Sequence, residues 1–409
     1  MNTGLADKRR FVLVLGCLTG IAAVTIDMSL PAFPAMVREL STSMATGQQV
    51  VGLFMAGIAL GQIPAGLISD RIGRMPVLYC GIGIFTVAGV AASLTESIEL
   101  LLLARFVQGL GGSVGVVISR AIVRDISSGA QAARLMSAMV MIFTAAPMLA
   151  PIVGAFLVFN WGWRAPFIAV VVFGVLVLLG VNRSLQETHT PVRREHPLRQ
   201  LLTSFGEFFS HRRSRFGVLL VVIPAAGFIT MITSSSAIVL EIYEFPVQYF
   251  GFIFALLGLS VLAGSTISRH LVVEHGIIRM LGIGSIVVGI AAVPMLAMAW
   301  MGQASFWWFW GSACLFMLGT GFLLPNGTAL ALDPVPQIAG VAASIVGSMQ
   351  TLSMATGSLA GSAMYDGTIR NVAIFMGISG VATAITFLLR RLVLGHATEA
   401  SQEVVRPDH

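Results

Sequence analysis

Long apolar runs recur along the whole chain and limit what it can fold into. The sequence contains twelve nearly uncharged stretches of about 20 residues, the length that an α-helix needs to cross a bilayer. Of its 409 residues, 56% are hydrophobic and only 10% are charged, whereas soluble domains carry about 25% charged residues. The sequence therefore predicts an all-α integral membrane protein with twelve transmembrane helices.

Short polar segments separate these runs and divide the chain into two halves. The predicted spans cover residues 11–36, 47–68, 76–95, 98–122, 134–158, 164–182, 216–239, 247–270, 277–299, 305–331, 338–364 and 371–389. We expect an N-terminal six-helix bundle over residues 1–183, a connecting loop over 184–215, a C-terminal six-helix bundle over 216–390 and a tail over 391–409. The similar sequences GLISDR and GSTISR close spans two and eight, which two parallel six-span repeats would produce.

Basic residues are distributed unequally between the two sides that this organisation implies. Of the 24 Lys and Arg residues, 20 fall in the termini and the loops on the same side as the termini, and three fall in the opposite loops. Because cytoplasmic loops are enriched in Lys and Arg, we expect both termini in the cytoplasm. The basic residues lie between apolar runs rather than in one patch, so nucleic acid is not an expected partner.

The most specific motif, GLISDRIGRMPV (66–77), connects spans two and three. It resembles the G-x-x-x-D-R-x-G-R-[RK]-x-[VL] signature of the Major Facilitator Superfamily of transporters, although Met75 stands where a second basic residue is usual. We expect Gly66 to let two helices approach closely and Gly73 to permit a tight turn. The resemblance implies a conformational gate, in which Asp70 faces the start of span eleven near Ala339. The gate residues are Gly66, Asp70, Arg71, Gly73 and Arg74. The alternative is a solvated basic turn.

Span four contains an arginine in LLLARFVQGLGGSVG (101–115), which resembles the same family's pattern of an intramembrane Arg followed by Gln-Gly. Arg105 and Gln108 are three residues apart and share a helix face with Gly109 and Gly112. Because arginine stays charged, we expect Arg105 to face the protein interior or water. The alternative is a side chain that reaches from near the end of the span to the membrane surface.

Span five contains two prolines in AAPMLAPIVGAF (145–156). Prolines bend membrane helices and free backbone groups that neighbours must satisfy, so we expect Pro147, Pro151 and Gly154 to form a hinge. The stretch resembles the antiporter signature G-x-x-x-G-P-x-x-G-G, but alanines 146, 150 and 155 replace three of its glycines.

A carboxylate interrupts the first span in TIDMSLPAFP (25–34). Burying a charge there costs about 2.5–3.5 kcal/mol on insertion scales, and Asp27 is the only carboxylate well inside a predicted span. Burial favours the neutral acid, whereas a nearby arginine favours the ion, so such a group can exchange a proton near neutral pH. We expect its partner to be Arg105. One alternative is a structural Asp27–Arg105 pair without a transport role, and another is an aspartate wetted at the membrane surface.

The motif around Asp27 and the sequence RAIVRD (120–125) resemble the bacterial Bcr/CflA branch of drug:proton antiporters. The resemblance covers nearly the whole chain except the connecting loop and the tail. It implies that Asp27 carries protons and that the protein exports small amphipathic drugs of the chloramphenicol or bicyclomycin kind from the bacterial cytoplasm. The expected partners are a drug or metabolite, protons and the bilayer of the inner membrane, and the expected state is a monomer.

Several weaker features leave the interpretation open. Asn326, Gln350 and the serines at 234–236 either line a substrate cavity or join helices by hydrogen bonds. Cys17, Cys80 and Cys314 lie within apolar runs without metal-ligand spacing. The sequence contains no nucleophile–base pair and no phosphate-binding loop, so we predict a transporter without a cofactor or metal rather than an enzyme.

Two other functions remain possible from sequence alone. The same fold could import a nutrient or metabolite together with protons, although the near absence of other buried charges disfavours a strongly charged substrate. A membrane sensor or scaffold would need a soluble output domain, and the 33-residue central loop (183–215) and 19-residue tail are too short to supply one.

Overall fold

All regular elements in the part of the chain that the structure describes are helices. The computed structural model describes residues 5–127, 129–189, 197–301 and 304–394. A helix satisfies its backbone hydrogen bonds within one segment, which is what a lipid environment requires. The helices are α1 (Leu5–Ser29), α2 (Phe33–Glu39), α3 (Met44–Ile72), α4 (Arg74–Leu94), α5 (Ile98–Ile126), α6 (Gly129–Trp161), α7 (Arg164–Ser184), α8 (Pro197–Ser210), α9 (Arg212–Ser236), α10 (Val247–Met301), α11 (Phe306–Leu332), α12 (Ala339–Ala363), α13 (Arg370–Leu388) and α14 (Arg390–Leu394).

Irregular turns extend or bend several of these helices. A 3₁₀ turn, Leu30–Ala32, joins α1 to α2, and a π-helical turn, Ala237–Ile242, continues α9. A second 3₁₀ turn, Pro336–Ile338, precedes α12. π-helical turns interrupt the regular i→i−4 ladder and often lie at functional positions. The first span is therefore α1, a turn and α2 in sequence, rather than one straight helix.

The twelve predicted spans all lie on helices. Ten helical stretches in the described ranges are long and apolar enough to cross a membrane. One of them, α10, contains predicted spans eight and nine, which meet at Gly276 with a φ of 76°. Predicted span five lies within α6. Residues 190–196 of the predicted connecting loop and 395–409 of the predicted tail lie outside the described residues.

The chain forms two compact units. The first contains Met1–Pro197, Ile229–Leu259 and Thr351–Val372. Within it α5 packs most extensively against α3 and α4, and α1 packs against α6. The segments from the C-terminal half are held by hydrogen bonds: Thr230 Oγ1 donates to the Gly357 carbonyl (3.0 Å), and Gln62 Nε2 donates to Thr351 Oγ1 (3.1 Å).

Glycines allow α5 to approach its neighbours closely. A Cβ on Gly57 of α3 would overlap the carbonyl oxygen of Phe106, and a Cβ on Gly109 of α5 would overlap the carbonyl oxygen of Phe54. Close backbone approach at small residues is a main source of helix association in membranes. Gly66 does not have this role in the structure, because its Cβ would lie at an ordinary 3.7 Å from Val117 Cγ1.

The second unit contains Leu198–Phe228, Ser260–Gln350 and Ala373–His409. Phe208 of α8 is fully buried in a hydrophobic cluster with Val218, Val335 and Ile345. Arg213 Nη1 forms an ion pair with Asp333 Oδ2 at 3.0 Å. A Cβ on Gly264 of α10 would overlap the carbonyl oxygen of Leu318 in α11, so both units contain a glycine-mediated helix contact.

We expect Gly57→Ala to destabilise the folded protein, because the new methyl group would overlap backbone atoms of α5. Overpacking of this kind costs about 1–3 kcal/mol. The matched control is Gly83→Ala in α4, where a Cβ would meet no atom within 4 Å. Thermal unfolding in detergent should show a lower Tm for Gly57→Ala and an unchanged or higher Tm for the control. Equal Tm values for the two variants would contradict the close α3–α5 contact.

Candidate functional site

Asp27 lies on α1, two residues before this helix ends at Ser29. The residue is only 6% exposed, which argues against the alternative of an aspartate wetted at the membrane surface. Among the residues that the structure describes, its carboxylate forms no ion pair. The 3₁₀ turn with Pro31 and the start of α2 with Pro34 follow directly. Asp27 is therefore a buried acid placed just before a bend in the first span.

Arg105 is buried at 2% exposure, so its side chain does not reach to the membrane surface. Its Nη1 donates to Gln108 Oε1 at 3.1 Å, as their spacing on one helix face predicts. Its Cζ lies 4.2 Å from the centroid of the Phe167 ring on α7. Nε and Nη2 have no hydrogen-bond partner among the described residues. The expected pair with Asp27 is not formed in this structure, because Gln108 and Phe167 hold the guanidinium.

Asp27 and Arg105 nevertheless lie at similar depths, within about one to two helical turns of each other along α1 and α5. Thr19 Oγ1 and Ser119 Oγ are 3.1 Å apart, and Ile21 lies beside Gly112 and Gly115, so α1 and α5 are antiparallel. Asp27 lies six residues beyond Ile21, about 9 Å along α1. Arg105 lies seven residues before Gly112, about 10 Å along α5 in the same direction.

Gln108 and the glycines of the span-four face have different surroundings. Gln108 is 1% exposed, and a Cβ on Gly89 of α4 would lie 2.7 Å from its Nε2. Gly109 allows α3 to approach, whereas a Cβ on Gly112 would meet side chains and not backbone, with Phe85 nearest at 3.3 Å and Ile21 at 3.9 Å. The span-four motif thus positions the polar pair Arg105–Gln108 and the close contact of Gly109 with α3.

The proline segment of α6 packs beside Asp27. Pro147 and Pro151 lie inside α6, which continues through both. A Cβ on Gly154 would overlap the carbonyl oxygen of Met28, the residue after Asp27. On α10, a Cβ on Gly251 would overlap the backbone of Ile152. The segment predicted as a hinge therefore touches α1 next to the buried acid and also touches α10.

Arg74 organises the predicted gate. It is 5% exposed; its Nη1 donates to Asp70 Oδ1 (2.5 Å) and Ser69 Oγ (2.8 Å), and its Nε donates to Asp125 Oδ2 (2.9 Å). Arg71 is exposed. Gly73, between α3 and α4, has a φ of 100°, a conformation that favours glycine.

Glu187 completes this network, although no motif in the sequence marks it. Its carboxylate accepts hydrogen bonds from the backbone N–H groups of Arg74 (2.9 Å) and Met75 (3.0 Å) at the start of α4. Helix N-termini favour bound anions. Burial disfavours the charged form, but these N–H donors, with those of His189 and Thr188, outweigh burial and hold the pKa of Glu187 below its usual range.

The residues predicted either to line a cavity or to join helices differ in their hydrogen bonding. Asn326 is 6% exposed, and its Nδ2 donates to Ser268 Oγ and to the Phe322 carbonyl, both at 2.7 Å. This geometry matches the alternative of a helix–helix hydrogen bond. Gln350 is half-buried. Ser234 and Ser236 are buried, and their hydroxyls have no partner within the described residues.

Comparison with known proteins agrees with this arrangement. The sequence profile of the Major Facilitator Superfamily matches residues 15–317, about three quarters of the chain. The chain belongs to the Major Facilitator Superfamily. It is therefore a multi-pass membrane transporter with a small-molecule substrate and not an enzyme, as the sequence motifs predicted.

Three similar proteins illustrate the relationship. The chain is 27% identical to the bicyclomycin resistance protein homolog of Haemophilus influenzae over 380 residues, covering 92% of this chain and 94% of that protein. It is 29% identical to multidrug resistance protein D of Escherichia coli, covering 83% and 85%. A bacterial homologue of the human lysosomal transporter Spinster, crystallised inward-facing and occupied, has a TM-score of 0.74 at 17% identity, covering 99% and 100%. The Spinster likeness concerns the fold alone.

We expect Glu187→Gln to lower the Tm near pH 7, because the amide brings neither the charge nor the second acceptor oxygen to the start of α4. The pKa of Glu187 is lowered in the folded protein, so its stabilisation is present above the ordinary value of about 4.3 and is lost as pH falls below it. The Tm difference from wild type should therefore narrow between pH 7 and pH 3.5.

The control for this prediction is Glu96→Gln, at an exposed glutamate in the turn before α5. It should leave the Tm unchanged at every pH. A Glu187→Gln difference that stays constant across the pH range would show that the charge of Glu187 does not stabilise the fold.

Proposed function

We propose that this protein exports small amphipathic drugs, of the chloramphenicol or bicyclomycin kind, in exchange for protons. The observation that carries the proposal is the buried carboxyl group of Asp27, which lacks an ion-pair partner in the described residues. A buried acid without a fixed counter-charge is suited to change protonation as its surroundings change. The relatives named for bicyclomycin and multidrug resistance support export rather than nutrient import.

The proposed cycle assigns a step to each member of the site. Asp27 takes up a proton from the outer side, which favours return to the inward-facing state, and releases it to the cytoplasm as drug binds. Arg105 then stabilises the carboxylate through Nε and Nη2, which have no other partner among the described residues. The gate residues around Arg74 stabilise one conformation, and the segment with Pro147, Pro151 and Gly154 transmits movement between helices.

The setting of this cycle is the bacterial cytoplasmic membrane, with both termini in the cytoplasm. The excess of basic residues in the segments on the side of the termini supports this orientation. We propose that the two six-helix halves, residues 1–183 and 216–390, alternate access as a monomer. One proton moving down a potential of about 100 mV and one pH unit supplies about 3.7 kcal/mol, which supports a drug gradient of roughly 500-fold.

Asp27→Asn should abolish proton-coupled export, because an amide takes up no proton near neutral pH. Inside-out vesicles with an acidic lumen and a pH-sensitive dye report the coupling, with bicyclomycin, chloramphenicol and ethidium as the added compounds. At least one of them should collapse the gradient with wild type and fail to do so with Asp27→Asn.

The control variant is Asp366→Asn, at an exposed aspartate in the turn before α13, and it should behave as wild type. Wild-type coupling in Asp27→Asn would rule out the proposed role of this residue. A compound that makes the lumen more acidic would instead indicate import together with protons.

A further inference from the structure

The guanidinium of Arg105 is held by an aromatic ring rather than by a carboxylate. Its Cζ lies 4.2 Å from the centroid of the Phe167 ring, within the range of a cation–π contact. Both residues are almost fully buried, at 2% and 1% exposure. Such contacts strengthen when water is excluded from the ring and the cation. Phe167 is therefore a main partner of the charge, together with Gln108.

Other residues hold Phe167 in place. Its ring meets the Trp163 ring edge to face, with centroids 5.5 Å apart. The Cζ of Arg164 lies 4.3 Å from the centroid of the Trp163 ring, and Arg164 also forms an ion pair with Glu39 at the end of α2. The ring that contacts Arg105 therefore belongs to a stack of side chains at the start of α7.

This arrangement leaves Arg105 unpaired with Asp27, the buried carboxylate of a helix that packs on α5. Asp27 and Arg105 lie at similar depths on two helices that pack together. Nε and Nη2 of Arg105 have no partner in the described part of the chain, so the guanidinium retains donors for a carboxylate. An arginine next to a carboxylate favours its ionised form. A guanidinium that moved from Phe167 to the Asp27 carboxylate would therefore make this acid less ready to hold a proton.

The other charged residues near Asp27 lie at different depths or are already paired. Apart from Arg105, the helices that pack on α1 carry charges near their ends: Glu99, Arg120, Arg124 and Asp125 on α5, Arg134 on α6, and Arg164 and Arg183 on α7. On its own span, α1 carries Lys8, Arg9 and Arg10 near its start, and α2 carries Arg38 and Glu39 near its end. Arg105 is thus the one charged residue of α5, α6 and α7 that lies away from the helix ends, at a depth similar to that of Asp27.

We propose that Phe167 is a positioning residue for proton coupling, which holds the Arg105 guanidinium against α7 so that Asp27 can carry a proton. This inference rests on the proposed role of Asp27. When Asp27 loses its proton, the carboxylate outcompetes the ring for Arg105. When Asp27 is protonated again, Arg105 returns to Phe167. The ring thereby sets the pH range over which the acid is loaded.

The test measures protonation of Asp27 directly and needs no transported substrate. A hydrophobic carbodiimide reacts with protonated carboxyl groups in apolar surroundings, and peptide mass spectrometry quantifies its addition to Asp27. In purified protein, Phe167→Leu should move the midpoint of labelling to lower pH by at least about one unit, because Arg105 is then free to stabilise the carboxylate. Phe167→Tyr keeps an aromatic ring and should retain the wild-type midpoint.

The matched control is Phe387→Leu, which removes another ring that lies under an arginine, Arg390, at 4.7 Å. It should leave the midpoint unchanged. Phe167→Met, with a side chain of similar length, replaces Phe167→Leu if that variant elutes as aggregate in size-exclusion chromatography. A lower extent of labelling without a change in the midpoint would overturn the proposal, since it would indicate a merely structural role.

The vesicle assay separates failure of this inference from failure of the proposed function. If Asp27→Asn abolishes drug-dependent proton movement and Phe167→Leu retains the wild-type pH profile of transport, Phe167 is not a positioning residue and the exporter proposal stands. If Asp27→Asn couples normally, the role of Asp27 is wrong, and with it the role of Phe167. The inference is supported when the pH profile and the labelling midpoint move together.

Discussion

The close packing of α5 against its neighbours is the interaction on which the rest of this structure depends. Three glycines of α5 let neighbouring backbones approach closely. Gly109 contacts α3 at Phe54, Gly111 contacts α4 at Phe85, and Gly115 contacts α1 at Leu18. Lipid provides no hydrophobic force that drives helices together, so contacts of this kind have to supply the association. Because three helices surround it so closely, α5 carries Arg105 and Gln108 on a face that is buried in protein.

Arg74 and Arg105, two buried arginines among the described residues of this unit, differ in how fully their charges are paired. Arg74 bonds to Asp70, Asp125 and the hydroxyl of Ser69, so its charge has fixed partners. Arg105 has one amide oxygen and one aromatic ring, and two of its donor atoms have no partner among the described residues. Each unpaired buried donor costs about 1–3 kcal/mol. That cost is a reason to expect Arg105, rather than Arg74, to change partners during transport.

Sequence alone predicted the membrane helices from their composition, the family from the resemblance of its motifs, and the burial of Asp27 and Arg105 from their positions inside apolar runs. It paired Asp27 with Arg105, since opposite charges are visible in a sequence and a ring contact between α5 and α7 is not. It missed Glu187, because a carboxylate bound at a helix start 113 residues earlier has no local pattern. It also assigned close packing to Gly66, whereas the structure places the tight contacts at Gly57 and Gly109.

An ion pair connects the span that contains Asp27 to the helix that contains Phe167. Asp27 is followed by the bend at Pro31 and by α2, which ends in the ion pair between Glu39 and Arg164. Arg164 begins α7, and Phe167 lies one turn further along the same helix. A displacement of α2 relative to α7 therefore changes the support of the Phe167 ring as well as the surroundings of Asp27. Because α2 continues the span that carries Asp27, and α7 carries Phe167, a movement of α2 relative to α7 is the kind of change that we expect to shift Arg105 between the ring and the carboxylate.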